Sequence, residues 1–274
     1  MNETIFEGAR IRLDRREAVA VMFFFNPPSG TMDDQTEREL LEVLERIEAD
    51  ESIRVVVLTG AQQGVFIRHY DVDVLEQRGR AMQERGLSFQ VARPVPPSPI
   101  HVAQQRMEGS ERIFIAAING IAMGGGCEMA LACDLRIAEQ GDYPIGLPEV
   151  NIGLLPGAGG TQRMARLLGQ ARALELILLA RTLTPVEAQK YGLISECCDG
   201  PVLERAMQIA QRLARSHRRA LAHVKQLVRG AALTDVQVGY ANERTLFCDL
   251  MVDPQSIEKM HAMNQGRLRI ETGE

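Results

Sequence analysis

Phe114-Ile115-Ala116-Ala117-Ile118-Asn119-Gly120, then Gly124-Gly125-Gly126-Cys127-Glu128-Met129-Ala130, then Asp134-Leu135-Arg136-Ile137-Ala138 succeed one another near the middle of the chain. The first block is apolar and predicts a strand. The second predicts a glycine turn feeding a helix from about Gly125 to Cys133, and the third predicts another strand. Strand, turn, helix and strand in that order make an α/β layer. Glycines let a ligand approach the main chain, and a glycine run that opens a helix presents bare N–H groups to an anion. Glu128 closes the run, and a second carboxylate, Glu149, stands before another glycine cluster, Gly157-Ala158-Gly159-Gly160. Two acids beside an anion site describe a place where negative charge develops on an oxygen while a proton is added or removed nearby.

The same rhythm extends outward. Ala18 to Phe25 is an apolar run closed by Asn26-Pro27-Pro28-Ser29-Gly30, the pattern of a buried strand ending in a turn. Between Asp33 and Asp50, Leu40, Leu41, Val43, Leu44 and Ile47 recur at helical spacing among charged residues, so one face packs and the other is wet. Arg54 to Gly60 predicts the next strand, and a helix is expected from Gly160 to Leu168. Past Gly200 only helical patterns follow, at about 201–215, 218–231, 234–251 and 255–266, with Thr234 and Asp253 placed as caps. The expected organisation is an α/β core over 1–200 and a helical region over 201–274 that covers the core, packs on a neighbouring subunit, or both. One segment breaks the pattern, from about Gly79 to Gly109, where Arg93-Pro94-Val95-Pro96-Pro97-Ser98-Pro99 predicts a rigid loop. That loop is either a surface excursion or an active-site wall or lid. Its apolar residues near 82–91 fit a pocket lining and a helix docked on the core equally well.

Composition limits the function classes. A chain of 274 residues with 45% hydrophobic and 24% charged residues is that of an ordinary globular protein. A net charge of −5 gives no global attraction to nucleic acid or to an anionic membrane, so a small-molecule ligand is expected. Five cysteines, an odd count without a C-x-x-C spacing, argue against a disulfide framework or a structural zinc site. The first residues lack the basic start and apolar run of a leader, and no apolar segment reaches the roughly 20 residues needed to cross a bilayer. A cytoplasmic protein with no membrane partner is the expectation.

Ile115 to Gly120, Gly124 to Ala130, Cys133-Asp134, Leu147-Pro148-Glu149 and Gly153-Leu154-Leu155-Pro156-Gly157-Ala158-Gly159-Gly160-Thr161-Gln162-Arg163 resemble, in order, the crotonase family of enoyl-CoA hydratases and isomerases. Asn26-Pro27-Pro28 and Leu183-Thr184-Pro185-Val186-Glu187-Ala188 extend the likeness over most of the chain. The resemblance implies an α/β fold, a crotonase-like spiral of ββα units with a C-terminal helical region, assembled as a homotrimer or homohexamer. It implies an acyl-CoA substrate with no separate cofactor, coenzyme A being part of the substrate. A thioester is activated when its carbonyl oxygen takes on enolate character, and two fixed N–H donors stabilise that charge.

One implied donor is the Gly125 N–H, at a helix start whose dipole adds to it. The second is implied in Phe66-Ile67-Arg68-His69-Tyr70-Asp71, where the family has a small residue and a glycine at the places of Arg68 and His69. A backbone N–H survives any substitution but proline, so Tyr70 still supplies it if the loop keeps its course. Glu128 is implied as base on a water and Glu149 as proton donor to the α-carbon, with Arg68, Asp71, Gly124 and Pro148 on the substrate. Keeping both acids favours hydration over other family reactions, isomerisation or thioester hydrolysis, and over a non-catalytic acyl-CoA-binding scaffold.

Other motifs carry less. Gly124-Gly125-Gly126 lacks the lysine and hydroxyl of a P-loop and the spacing of a dinucleotide site. Histidines 69, 101, 217, 223 and 261 have no metal-ligand spacing, so no metal is expected. Cys127 reads as a buried thiol packed behind the turn. Ser216-His217-Arg218-Arg219 reads as a solvated basic face, with a coenzyme A phosphate as the minority alternative.

Overall fold

The computed structural model describes residues 3–271, so Met1 and Asn2, at the start of the segment read for a leader, lie outside it. Strands Glu3–Glu7 (β1), Ile11–Arg16 (β2) and Val19–Phe24 (β3) form an antiparallel ribbon. β3 is the run expected at Ala18 to Phe25, and it is buried at every position. Helix Asp34–Ala49 (α1) follows because Asp33 and Thr36 close a capping box: Thr36 N donates to Asp33 Oδ1 at 2.9 Å, and Asp33 N donates to Thr36 Oγ1 at 3.2 Å. Leu40, Val43, Leu44 and Ile47 are buried on its inner face.

From here the chain repeats one unit. Val55–Gly60 (β4) pairs parallel to β3, and Gly64–Ile67 (β5) turns away into a second sheet before helices Val72–Glu84 (α2) and Pro99–Gly109 (α3) return the chain. Ile113–Ile118 (β6) pairs with β4, Gly120–Met123 (β7) pairs with β5, and Gly125–Ala132 (α4) returns. Leu135–Glu139 (β8) and Ile145–Gly146 (β9) repeat the step, followed by a 3₁₀ turn at Glu149–Ile152 and helices Gly160–Leu168 (α5) and Gln170–Leu178 (α6). Thr182–Leu183 (β10), Pro185–Tyr191 (α7), Glu196–Cys198 (β11) and Val202–Arg215 (α8) complete this part.

The seven-stranded sheet runs β1-β2-β3-β4-β6-β8-β11 and the four-stranded sheet β10-β9-β7-β5. Each repeat places one strand in each sheet before its helix, which is a ββα spiral. The corner between sheets is made by Asn119, whose Nδ2 donates to Gly60 O at 3.0 Å and Gln62 O at 3.1 Å while its Oδ1 accepts from Gly60 N at 3.0 Å. One corner is thereby tied to the corner of the preceding repeat. The single strand expected at Phe114 to Gly120 is therefore two, broken at Asn119.

One further expectation changes. The rigid loop expected from Gly79 to Gly109 is confined to the stretch between α2 and α3, because α2 continues to Glu84 and Pro99 occupies the first turn of α3. Proline fits there because its missing N–H has no intrahelical acceptor to lose. Leu87, Phe89, Val91 and Val95 in the remaining stretch are exposed.

The chain divides between Ala214 and Arg215, so α8 lies with the first unit up to its last residue. In the second unit, Arg218–Gly230 (α9), Val236–Met251 (α10) and Pro254–Asn264 (α11) are joined by hydrogen-bonded side-chain pairs: His223 Nε2 to Asp249 Oδ2 at 2.9 Å, His217 Nε2 to Asp253 Oδ1 at 2.9 Å, and Arg219 Nη1 to Asp253 Oδ2 at 2.9 Å. His217 and Arg219, read as a solvated basic face, are thus paired with acids inside the unit. Asp253 caps α11 as expected, but Asp235 rather than Thr234 caps α10, its carboxylate accepting from Gln237 N at 2.9 Å.

Candidate active site

The glycine turn forms where β7 ends. Gly124 has φ 48° and ψ −123°, its N–H donates to Gly146 O at 2.9 Å, and Glu128 N donates back to Gly124 O at 2.9 Å as α4 begins. A Cβ on Gly126 would lie 1.9 Å from Ile67 O, so only glycine lets α4 approach the end of β5. That approach brings the Arg68-His69-Tyr70 loop to the helix start. A Cβ on Gly125 would lie 3.4 Å from both Tyr70 N and Tyr70 Cβ.

The loop keeps its course through backbone bonds. Arg68 N donates to Gly30 O at 2.8 Å, Met123 N to Arg68 O at 3.0 Å, Met32 N to His69 O at 2.9 Å, and Asp71 N to Met32 O at 2.7 Å. The last two form a parallel bridge between Met32 and Tyr70 that uses the neighbours of Tyr70 and leaves its own N–H outside. Gly125, first residue of α4, has no intrahelical acceptor for its N–H. Two main-chain donors therefore stand side by side at the helix start.

The loop side chains turn elsewhere. Arg68 Nε donates to Ser29 O at 2.8 Å, and His69 Nδ1 donates to Tyr70 O at 2.7 Å, the carbonyl being able only to accept. Tyr70 Oη donates to Glu37 Oε1 at 2.8 Å and lies 3.1 Å from Asp34 Oδ1, while Arg78 Nη2 donates to it at 2.9 Å. Burial first, then the Glu37 carboxylate, pushes the phenol well above its ordinary range. Asp71 caps α2, accepting from Asp73 N at 3.0 Å and Val74 N at 3.3 Å. Pro148 precedes the 3₁₀ turn and accepts from Asn151 N at 3.1 Å.

The two acids converge on this turn from different elements. Glu128, 3% exposed in the first turn of α4, accepts through Oε1 from Ala158 N at 2.7 Å and Gly160 N at 2.8 Å. Burial raises its pKa, opposed by those two backbone donors. Glu149 opens the 3₁₀ turn, with Oε1 3.3 Å from where a Cβ on Gly124 would stand. Its Oε2 is buried without a hydrogen-bond partner among the described residues. Burial first, with the Glu128 charge adding to it, pushes Glu149 up to about 7. A group poised there exchanges protons near neutrality.

The glycine run and both acids were visible as residue types. The donors on Glu128, Ala158 N and Gly160 N, were not, and their only signal was a second glycine cluster of unassigned purpose. Cys127 is buried and burial pushes its thiol far up, as a packed rather than reactive cysteine requires. Among the described residues, no group of three or more His, Cys, Asp or Glu could hold a metal ion.

Residues 14–266 match the family model for enoyl-CoA hydratase/isomerase. The chain belongs to the enoyl-CoA hydratase/isomerase family. It is 32% identical over 257 residues to 2,3-dehydroadipyl-CoA hydratase of Escherichia coli, covering 93% of this chain and 95% of that one. It is 30% identical over 257 residues to the short-chain-enoyl-CoA hydratase of Clostridium acetobutylicum, covering 93% and 94%. A solved enoyl-CoA hydratase from Geobacillus kaustophilus superposes with a TM-score of 0.84 at 28% identity, over 96% of each chain.

Proposed function

We propose that this protein is an enoyl-CoA hydratase, a lyase that adds water across the 2,3-double bond of an acyl-CoA thioester or removes it in reverse. The observation that carries the reading is Glu149, whose Oε1 reaches the Gly124 turn that opens the Glu128 helix and whose buried Oε2 has no hydrogen-bond partner among the described residues. A buried polar atom left unpaired costs stability unless a bound species completes it. The thioester carbonyl oxygen sits between the Gly125 and Tyr70 N–H groups, which stabilise the enolate charge without reorganising. Glu128 takes a proton from water as the oxygen bonds to C3, and protonated Glu149 delivers a proton to C2. The double bond becomes a single bond, and proton transfer from Glu128 to Glu149 through solvent resets the site. Arg68, whose Nε holds Ser29 O, is assigned to the coenzyme A moiety through its two Nη groups, with Gly124 and Pro148 along the acyl path. Asp71 holds the loop by capping α2.

A homotrimer or homohexamer belongs to the same proposal, supported by the exposed apolar side chains of the second unit, among them Phe247 and Val252. Light scattering after size exclusion measures it. A cytoplasmic location is proposed with it and tested by cell fractionation. No described helix is long and apolar enough to cross a membrane. The functional test is turnover of crotonyl-CoA and longer 2-enoyl-CoAs with product mass, which separates hydration from isomerisation. Glu128→Gln and Glu149→Gln are each expected to lose about 10²-fold or more in kcat. No turnover of any enoyl-CoA, or turnover indifferent to both substitutions, would sink the reading.

A further inference from the structure

Helix α3 carries three polar side chains toward the loop that holds Glu128. His101 Nε2 lies 2.8 Å from Gly157 O, while His101 Nδ1 lies 3.2 Å from Ser98 N and 2.7 Å from Ser98 Oγ. An amide N–H only donates, so Nδ1 is the acceptor and the ring proton sits on Nε2, donated to Gly157 O. Gly157 C=O and Ala158 N–H belong to one peptide plane, and Ala158 N donates to Glu128 Oε1 at 2.7 Å. A single rigid peptide therefore connects the imidazole to the carboxylate, and a donor on its carbonyl strengthens the N–H at its other end.

The next peptide is held the same way. Arg163 Nη1 donates to Ala158 O at 2.7 Å and to Gln104 Oε1 at 2.9 Å, and its Nε and Nη2 each hold Glu108 at 2.9 Å. Gln104 is fully buried, so this anchor does not move with solvent. α3 thus grips two successive peptides of the loop.

We infer that His101 is a positioning residue for Glu128, acting through the Gly157–Ala158 peptide, with Arg163 holding the peptide after it. The inference rests on Glu128 being the base of the hydration reaction. His101 touches no reacting atom. It fixes the plane whose N–H aims the Glu128 carboxylate, so its loss is felt in turnover rather than in substrate affinity.

The test compares wild type, His101→Ala, His101→Gln, Ser98→Ala and Glu128→Gln on one enoyl-CoA substrate, with melting temperatures measured in parallel. His101→Ala is expected to lower kcat about tenfold, the effect of one aligned hydrogen bond, with KM little changed. His101→Gln, whose amide N–H still reaches Gly157 O, recovers most of that loss, and Ser98→Ala, which removes the Oγ contact on Nδ1 and leaves only the Ser98 N–H to hold the ring, gives a smaller fall in kcat. Unchanged kcat in His101→Ala overturns the inference. So does a His101→Gln variant as slow as His101→Ala with the same melting loss, because that is what a purely structural residue shows. Should His101→Ala not fold, unchanged kcat in Ser98→Ala overturns it, and a fall at constant KM in Ser98→Ala supports it. Wild type that turns over while Glu128→Gln does not leaves the hydratase reading standing whatever His101 does, so the two failures are told apart.

Discussion

Glu149→Gln should make the folded protein more stable in neutral and alkaline solution and leave it unchanged in acid. Glu149 is an acid whose pKa is raised by folding, from 4.5 to about 7. Below 4.5 both folded and unfolded states hold the proton and full stability is present. Between 4.5 and about 7 the unfolded state ionises first, so stability falls as pH rises, and above 7 the deficit is constant. A pKa unit is worth about 1.4 kcal/mol, which makes the deficit about 3 kcal/mol for a fully buried group. Glu149 is only partly buried, and solvent screening brings this to about 2 kcal/mol. Glutamine matches the shape of the protonated acid and never ionises, so the variant escapes the deficit. Urea unfolding of both proteins at about pH 5 and about pH 8.5 reads it out, with the gap small in acid and near 2 kcal/mol in base. A gap equal at both values, or one favouring wild type in base, would refute the argument that burial holds Glu149 near neutrality. The same variant loses turnover, so stability and activity move in opposite directions at this residue.

Two neighbouring glycines should separate folding from function. Gly126→Ala drives a methyl to 1.9 Å from Ile67 O and should destabilise by about 3 kcal/mol or more, whereas Gly125→Ala, whose methyl has 3.4 Å to Tyr70 N, should fold and lose about 10²-fold in kcat; thermal melts with turnover decide both. Tyr70→Phe strips the nearly buried Glu37 of its Tyr70 donor and should cost about 1–3 kcal/mol in urea unfolding, with turnover retained because the Tyr70 N–H remains. Cys127 should resist a thiol reagent in the native protein and react only on unfolding, while exposed Cys248 reacts at once.

Local signals in the chain were strong wherever one short stretch carried its own reason. β3, β4, α1 and α5 follow their apolar periodicity, and the Asp253 cap follows from a residue type that satisfies helix N–H groups. The errors fell where a distant contact overrode the local pattern. Phe114 to Gly120 is uniformly apolar, and only the pairing of Asn119 with Gly60 and Gln62 breaks it between two sheets. The prolines before α3 looked like one long loop because a proline in a first helical turn and a proline in a coil are written alike.

The site divides along the same line. By itself the sequence determined that a glycine turn opens a helix, that two glutamates belong with it, and that the chain resembles a family using such a turn, because residue type alone limits what each position can donate or accept. Only the tertiary structure decided that Tyr70 N–H stands beside Gly125 despite Arg68 and His69, that Glu149 keeps one oxygen unpartnered among the described residues, and that α3 grips the peptides aiming Glu128. Those are facts of distance and burial between residues far apart in the chain. A carboxylate's proton affinity and a backbone donor's aim depend on that surrounding space, which no local stretch specifies.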